Sequence, residues 1–161
     1  RRGVESWALG CGRGIELYKL PAAGSGNNAV VWCPCCQRAS HRQRSDSLKA
    51  SFKEMIGNNA IKNTIFTSRI NTKRQAEIIH DEAKSDNDYV TTRIMWLDGQ
   101  EEGKNKGKGV DSYQRYIYIH GTHEEGLIGQ KASHGCIRMF NSDVIELFND
   151  VKKGTKVYIK A

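Results

Sequence analysis

Hydrophobic side chains gather along this chain into short runs set between glycine-rich and charged stretches. Over the first 45 residues the glycines Gly10, Gly12 and Gly14, and then Gly24-Ser25-Gly26-Asn27-Asn28, surround a single apolar run, Ala29 to Trp32. This pattern predicts strand fragments and turns. From Ser47 to Ile56 the spacing of Leu48, Phe52, Met55 and Ile56 is that of an amphipathic helix, with Ser47 placed to cap it. Tyr89 to Leu97 and Tyr116 to Ile119 are rich in β-branched and aromatic residues and predict two strands. Between them Asp98 to Asp111 holds four glycines and four acidic residues, which predicts a long mobile loop of the kind used as a lid or binding flap. Val144, Leu147, Phe148 and Val151 then repeat at helical spacing, with Asn141 or Ser142 as the cap and Gly154 as the stop. Val157 to Ile159 predicts a closing strand, and no internal repeat is visible.

A length of 161 residues fits one domain with one core, and no apolar run approaches the ~18 residues of a membrane span. A net charge of +7 is unevenly placed: residues 1–75 carry 13 basic and 4 acidic side chains, residues 76–161 carry 12 and 14. This is not the pattern of a uniformly basic nucleic-acid coat, although the basic half can favour a polyanion, whether nucleic acid, anionic lipid or an acidic cell-wall polymer. Five cysteines are an odd number, so a free thiol is expected. The chain opens on Arg1, and Arg1 to Gly14 contains no signal-peptide core; a processed or truncated start is expected, which leaves the compartment open.

Chemistry concentrates between Tyr116 and Asn141, which holds three of the five histidines and one cysteine. His120 ends a predicted strand and is followed by Gly121; sixteen residues after His120, Cys136 closes Ser133-His134-Gly135-Cys136. A thiol becomes an effective nucleophile when a neighbouring imidazole lowers its pKa from ~8.5, so Cys136 and His120 form a candidate nucleophile and base. Gly135 allows a tight turn in which the Gly135 and Cys136 amides converge on the oxygen of an attacked carbonyl, as an oxyanion hole.

The pairing of strand-His-Gly-Thr with Ser-His-Gly-Cys-Ile-Arg-Met resembles the catalytic domain of the L,D-transpeptidase (YkuD-type) family. The likeness runs from about Met55 to Ile159, leaving residues 1–50 as a divergent N-terminal part of one domain. It implies a mostly β fold, all-β or α+β: a β-sandwich with one or two short helices and a flap over the cleft. It would also make Ser51 to Ile56 a strand, against the helical spacing. Carried over, Cys136 accepts the acyl group, His120 is its base and the Gly121 carbonyl orients the imidazole. Ser133, His134 and Gly135 belong to the oxyanion and substrate-binding turn, and Arg138 helps hold a substrate carboxylate. The implied reaction cuts a peptidoglycan tetrapeptide stem after its third residue, releases D-Ala and passes the acyl group to an amine; the alternative is an L,D-carboxypeptidase that uses water. No metal or cofactor is expected. The implied partners are stem peptides, with carbapenems as covalent inhibitors; nucleic acid and a membrane span are not expected, and a monomer is. The family's commoner role places the protein in the cell envelope or periplasm, whereas the odd cysteine count points to the cytoplasm.

Other readings start from other residues. Cys33, Cys35, Cys36, His41 and Cys11 sketch a zinc site that lacks a second paired motif. His120, His123 and His134 sketch a three-histidine zinc centre that would leave Cys136 without a role. Arg38, Arg42 and Arg44 suit a non-catalytic basic binding module.

Overall fold

The computed structural model describes residues 6–8, 16–19, 28–32, 48–130, 132–133 and 135–160. The zinc-like set Cys11, Cys33, Cys35, Cys36 and His41, the arginines Arg38, Arg42 and Arg44, the cap Ser47, and His134 lie outside them. The fold is mostly β. Its strands are β1 (Ser6–Ala8), β2 (Glu16–Lys19), β3 (Asn28–Trp32), β4 (Leu48–Ile56), β5 (Thr64–Thr67), β6 (Ile70–Gln75), β7 (Val90–Gly99), β8 (Tyr118–Thr122), β9 (Ile137–Met139) and β10 (Lys156–Lys160). They form one sheet in the order β1-β2-β3-β10-β4-β7-β5-β6, with β8 on β7 and β9 on β8. Most neighbours are antiparallel; β10 runs parallel to β3 and β9 parallel to β8. Among the described residues the single α-helix, α1, is Asn141–Asp150.

β7 is the axis of the molecule. One of its edges carries β4 and then β5, the other carries β8. Both of its faces are covered, which is why Ile94-Met95-Trp96-Leu97 reads as a continuous apolar run rather than an alternating one. Met95 and Leu97 join Ala50, Phe52, Ile119, Ile137, Met139 and Val157 under Val144 and Phe148 of α1. Ile94 and Trp96 point the other way, into a second cluster with Ala60, Phe66 and Tyr118, against which Cys136 packs.

Leu48 to Ile56 is a strand, not the helix the spacing predicts. The register with β7 shifts between Phe52 and Glu54, so one extra residue enters the ladder. That bulge turns a period of two into the interval 52, 55, 56, and helical spacing results by coincidence. Met55 and Ile56 then serve opposite clusters. The helix over 141–150 starts where predicted, but Phe140 is its N-cap residue and no side chain of its own caps it. The cap comes from outside the helix: Glu125 Oε1 accepts from the Asn141 backbone N–H and from Asn141 Nδ2, each at 2.8 Å.

The segment from Asp98 to Asp111 is hydrogen-bonded to β4 at its base. Asn105 is buried, its Nδ2 donates to Lys49 O at 2.9 Å and its Oδ1 accepts from Glu101 N at 3.0 Å. Glu101 in turn takes the Lys49 N–H at 2.7 Å, so the loop is laced to β4. Past it, Tyr113, Tyr116 and Ile117 are delivered beside Cys136.

Candidate active site

The parallel register of β8 and β9 sets Ile119 opposite Ile137 and His120 opposite Arg138. Because side chains alternate along a strand, the two pairs point to opposite sides of the sheet. Ile119, Ile137 and Met139 enter the core under α1, while Tyr118, His120 and Arg138 share the other face with Cys136, which immediately precedes β9. The Tyr118 N–H donates to Cys136 Sγ at 3.4 Å and the thiol donates to Tyr116 O at 3.4 Å. Cys136, one residue before β9, thus falls beside Tyr118, two positions along β8 from His120.

His120 is buried, and its Nδ1 lies 2.7 Å from Gly121 O. A carbonyl oxygen can only accept, so Nδ1 carries the proton and Nε2 keeps its lone pair. Burial pushes the imidazole down to about 4, with the Gly121 hydrogen bond opposing. The ring is therefore a neutral base throughout the physiological range. Gly121 has room for nothing larger than hydrogen: a Cβ there would stand 2.5 Å from Asn141 Oδ1 and 2.9 Å from Thr91 O. Asn141 is itself locked, accepting from Thr91 Oγ1 at 2.6 Å and from Thr92 Oγ1, and donating to Thr122 O at 2.6 Å. The carbonyl that fixes the histidine tautomer is held by this buried network.

Burial pushes the Cys136 thiol up, opposed in part by the Tyr118 N–H. The direction runs against the expected lowering by a neighbouring imidazole, and its cause is burial. Ser133 staples the turn before the nucleophile, donating from Oγ to Cys136 O at 2.6 Å and accepting from Gly135 N at 3.4 Å. Gly135 has φ 137°, a conformation that side chains rarely adopt.

Arg138 lies beneath this surface with 7% of its side chain exposed. Its Nη1 donates to Glu124 Oε2 at 2.8 Å and its Nη2 to Asp88 Oδ1 at 2.6 Å, so both ends of the fork are occupied. Glu124 also accepts from Ser85 N at 2.6 Å and Ser85 Oγ at 3.0 Å, and Ser85 Oγ meets His123 Nε2 at 2.8 Å. Burial raises the Glu124 carboxyl, but the Ser85 hydrogen bonds and Arg138 outweigh it and hold it below its ordinary value. Sequence reasoning passed over Asp88, Ser85 and Glu124; the one available signal was a charged pair, Glu124-Glu125, inside an otherwise glycine-rich and apolar stretch. Among the described residues no group of three or more His, Cys, Asp or Glu side chains is placed to hold a metal ion, and His120 and His123 each have a ring nitrogen engaged by a protein oxygen. No helix among them is long and apolar enough to cross a membrane.

A thiol and a buried histidine of fixed tautomer thus share one sheet face, beside a stapled glycine turn. The sequence profile of the YkuD family, the L,D-transpeptidase catalytic domain, matches residues 17–159, and the chain belongs to this family. It is 46% identical over 52 residues to YqjB of Bacillus subtilis (strain 168), across 32% of this chain and 28% of that protein. It is 56% identical over 46 residues to YkuD of the same organism, across 29% and 28%. With YbiS of Escherichia coli (strain K12) it shares 46% over 43 residues, 27% of this chain and 14% of that one. All three names assign those proteins provisionally to the L,D-transpeptidases. The matched stretch thus spans under a third of the two Bacillus proteins.

Proposed function

We propose that this domain is a peptidoglycan L,D-transpeptidase working through a Cys136 thioester. The observation that carries the reading is the fixed tautomer of His120, whose Nε2 is left as the acceptor on the sheet face shared with Cys136. Sγ attacks the carbonyl carbon of the third stem residue while its proton passes to Nε2. The carbonyl electrons move onto oxygen, stabilised by the Gly135–Cys136 turn. Collapse breaks the C–N bond, and His120 returns the proton to the departing D-Ala amine. An acceptor amine then attacks the thioester, losing its proton to His120, which delivers it to the leaving thiolate. The cell envelope is the compartment in which such stems are joined.

A purified disaccharide-tetrapeptide incubated with the enzyme and read by mass spectrometry tests this. A crosslinked dimer with loss of D-Ala is the expected product. Tripeptide alone would replace transfer with hydrolysis and make the protein an L,D-carboxypeptidase, and an unchanged tetrapeptide would overturn both. A carbapenem is expected to leave one adduct on intact mass, absent in Cys136→Ala.

A further inference from the structure

None of the steps of acyl transfer uses Arg69, and its place in the fold is unusual. It sits in the two-residue turn between β5 and β6, where Thr67 pairs with Ile70. Ser68 and Arg69 both have positive φ, 48° and 70°. Turns of that hand favour Asn-Gly or Gly-Gly, because a side chain crowds the backbone in the left-handed region. A serine and an arginine hold this one at a conformational cost, and such costs gather at functional positions.

The turn sends the arginine back over the aromatic residues beside the thiol. Its guanidinium lies 4.8 Å from the Trp96 ring centre and 5.2 Å from that of Tyr116, and Nη1 donates to Tyr118 Oη at 3.2 Å. Tyr118 joins the two groups: its hydroxyl takes Arg69 and its backbone N–H takes Cys136 Sγ. Glu54, Trp96 and Tyr118 align across β4, β7 and β8, and Arg69 lies over that row. Tyr116 is 53% exposed, so the surface on which the guanidinium rests is open to a ligand.

What separates Arg69 from Arg138 is the state of their donors. Arg138 is buried and has a carboxylate on each Nη. Arg69 spends one N–H on a neutral hydroxyl, and among the described residues no carboxylate stands within ion-pair distance of it. Glu54, the acidic group on its row, is engaged by the Tyr113 hydroxyl. A guanidinium resting over aromatic rings with one donor on a hydroxyl has further N–H groups for a carboxylate, which such a fork can bind in bidentate fashion.

The geometry points to Arg69, not Arg138, as the residue that receives a carboxylate of the stem peptide and so selects the substrate. This rests on the substrate proposed above. The stem offers the carboxylate of its terminal D-Ala, and a diamino acid at its third position offers another.

Three substrates test it: the tetrapeptide as free acid, amidated at D-Ala, and amidated at the third residue. Wild type is expected to favour the free acid over one of the amides, and that amide identifies the carboxylate. Arg69→Ala should lower kcat/KM on the free acid by about tenfold or more, chiefly through KM, and leave the discriminated amide unchanged, as loss of a charged hydrogen bond implies. Arg69→Lys should keep part of the preference. A second measurement needs no muropeptide: at low ionic strength the ratio of Cys136 alkylation rates by iodoacetate and iodoacetamide should fall severalfold in Arg69→Ala. A falling ratio without muropeptide turnover would sink the substrate reading and leave the carboxylate site standing. Turnover with no effect of Arg69→Ala on preference or ratio, or an equal loss on all three substrates, would overturn the role of Arg69.

Discussion

The two faces of the β8–β9 pair are built from neighbouring residues and hold opposite chemistry. On one face Ile119, Ile137 and Met139 are sealed beneath α1 with no polar atoms to satisfy. On the other His120, Arg138 and Glu124 are buried almost as deeply, yet each is defined by hydrogen bonds or ion pairs. The apolar face tolerates small rearrangement, because dispersion has no direction. The polar face does not, because an unpaired buried group costs its full desolvation. Strand alternation lets one short segment do both, so the polar face inherits the rigidity of the core behind it.

Substitutions on each face should separate chemistry from stability. Cys136→Ala removes the nucleophile and is expected to lower turnover by three orders of magnitude or more, about 4 kcal/mol of barrier, with an unchanged melting temperature. A variant keeping more than about a tenth of activity would remove Cys136 from the mechanism. Glu124→Ala leaves Arg138 with only Asp88, whose side chain is 49% exposed. Breaking a buried pair from one side typically costs ~3–5 kcal/mol, and denaturant unfolding should show a loss of that order. If instead Glu124→Ala were near neutral in stability, the triad would not be a support of this face.

On the core face Ile137→Ala is expected to cost ~2–5 kcal/mol while the alkylation rate of Cys136 per folded molecule stays close to wild type. A large change in that rate at full folding would mean the two faces are not separable. The pH behaviour gives a gentler contrast. With the thiol raised by burial, alkylation should keep increasing above pH 9, the ordinary thiol value, rather than level off near neutrality. His120 is depressed from 6.5 to about 4, so the unfolded chain binds the proton first. Its contribution to stability is complete above 6.5 and is lost as pH falls towards 4. His120→Gln should flatten that part of the stability profile; an unchanged slope would assign the acid loss to other groups such as Glu124. The smallest effect is expected in the loop. Asn105→Ala should speed amide exchange over 100–111 and leave the alkylation of Cys136 unaltered, and exchange that is already fast in wild type would contradict the lacing to Lys49.

The family of this protein was legible as a string. His120-Gly121 and Ser133-His134-Gly135-Cys136 at their interval pointed to it and marked a candidate nucleophile, base and turn, because such a pattern is contiguous in sequence. The strand expected over 89–97 and the helix after Asn141 were equally visible, whereas the strand expected over 116–119 begins at Tyr118 and runs on to Thr122. Where a local pattern met a tertiary irregularity the string misled: the bulge after Phe52 copied helical spacing.

Tertiary structure alone decided which charges face each other. Asp88, Glu124 and Arg138 are 50 and 14 residues apart in their pairings, and Arg69 reaches Tyr118 across 49. No local propensity encodes such contacts, because they arise only when the register of β7, β8 and β9 is set. For the same reason the sequence could name Arg138 as a basic residue near the nucleophile but not its occupancy. A charge in a sequence has a sign; whether it is spent inside the fold or offered to a ligand depends on the partners that folding places around it.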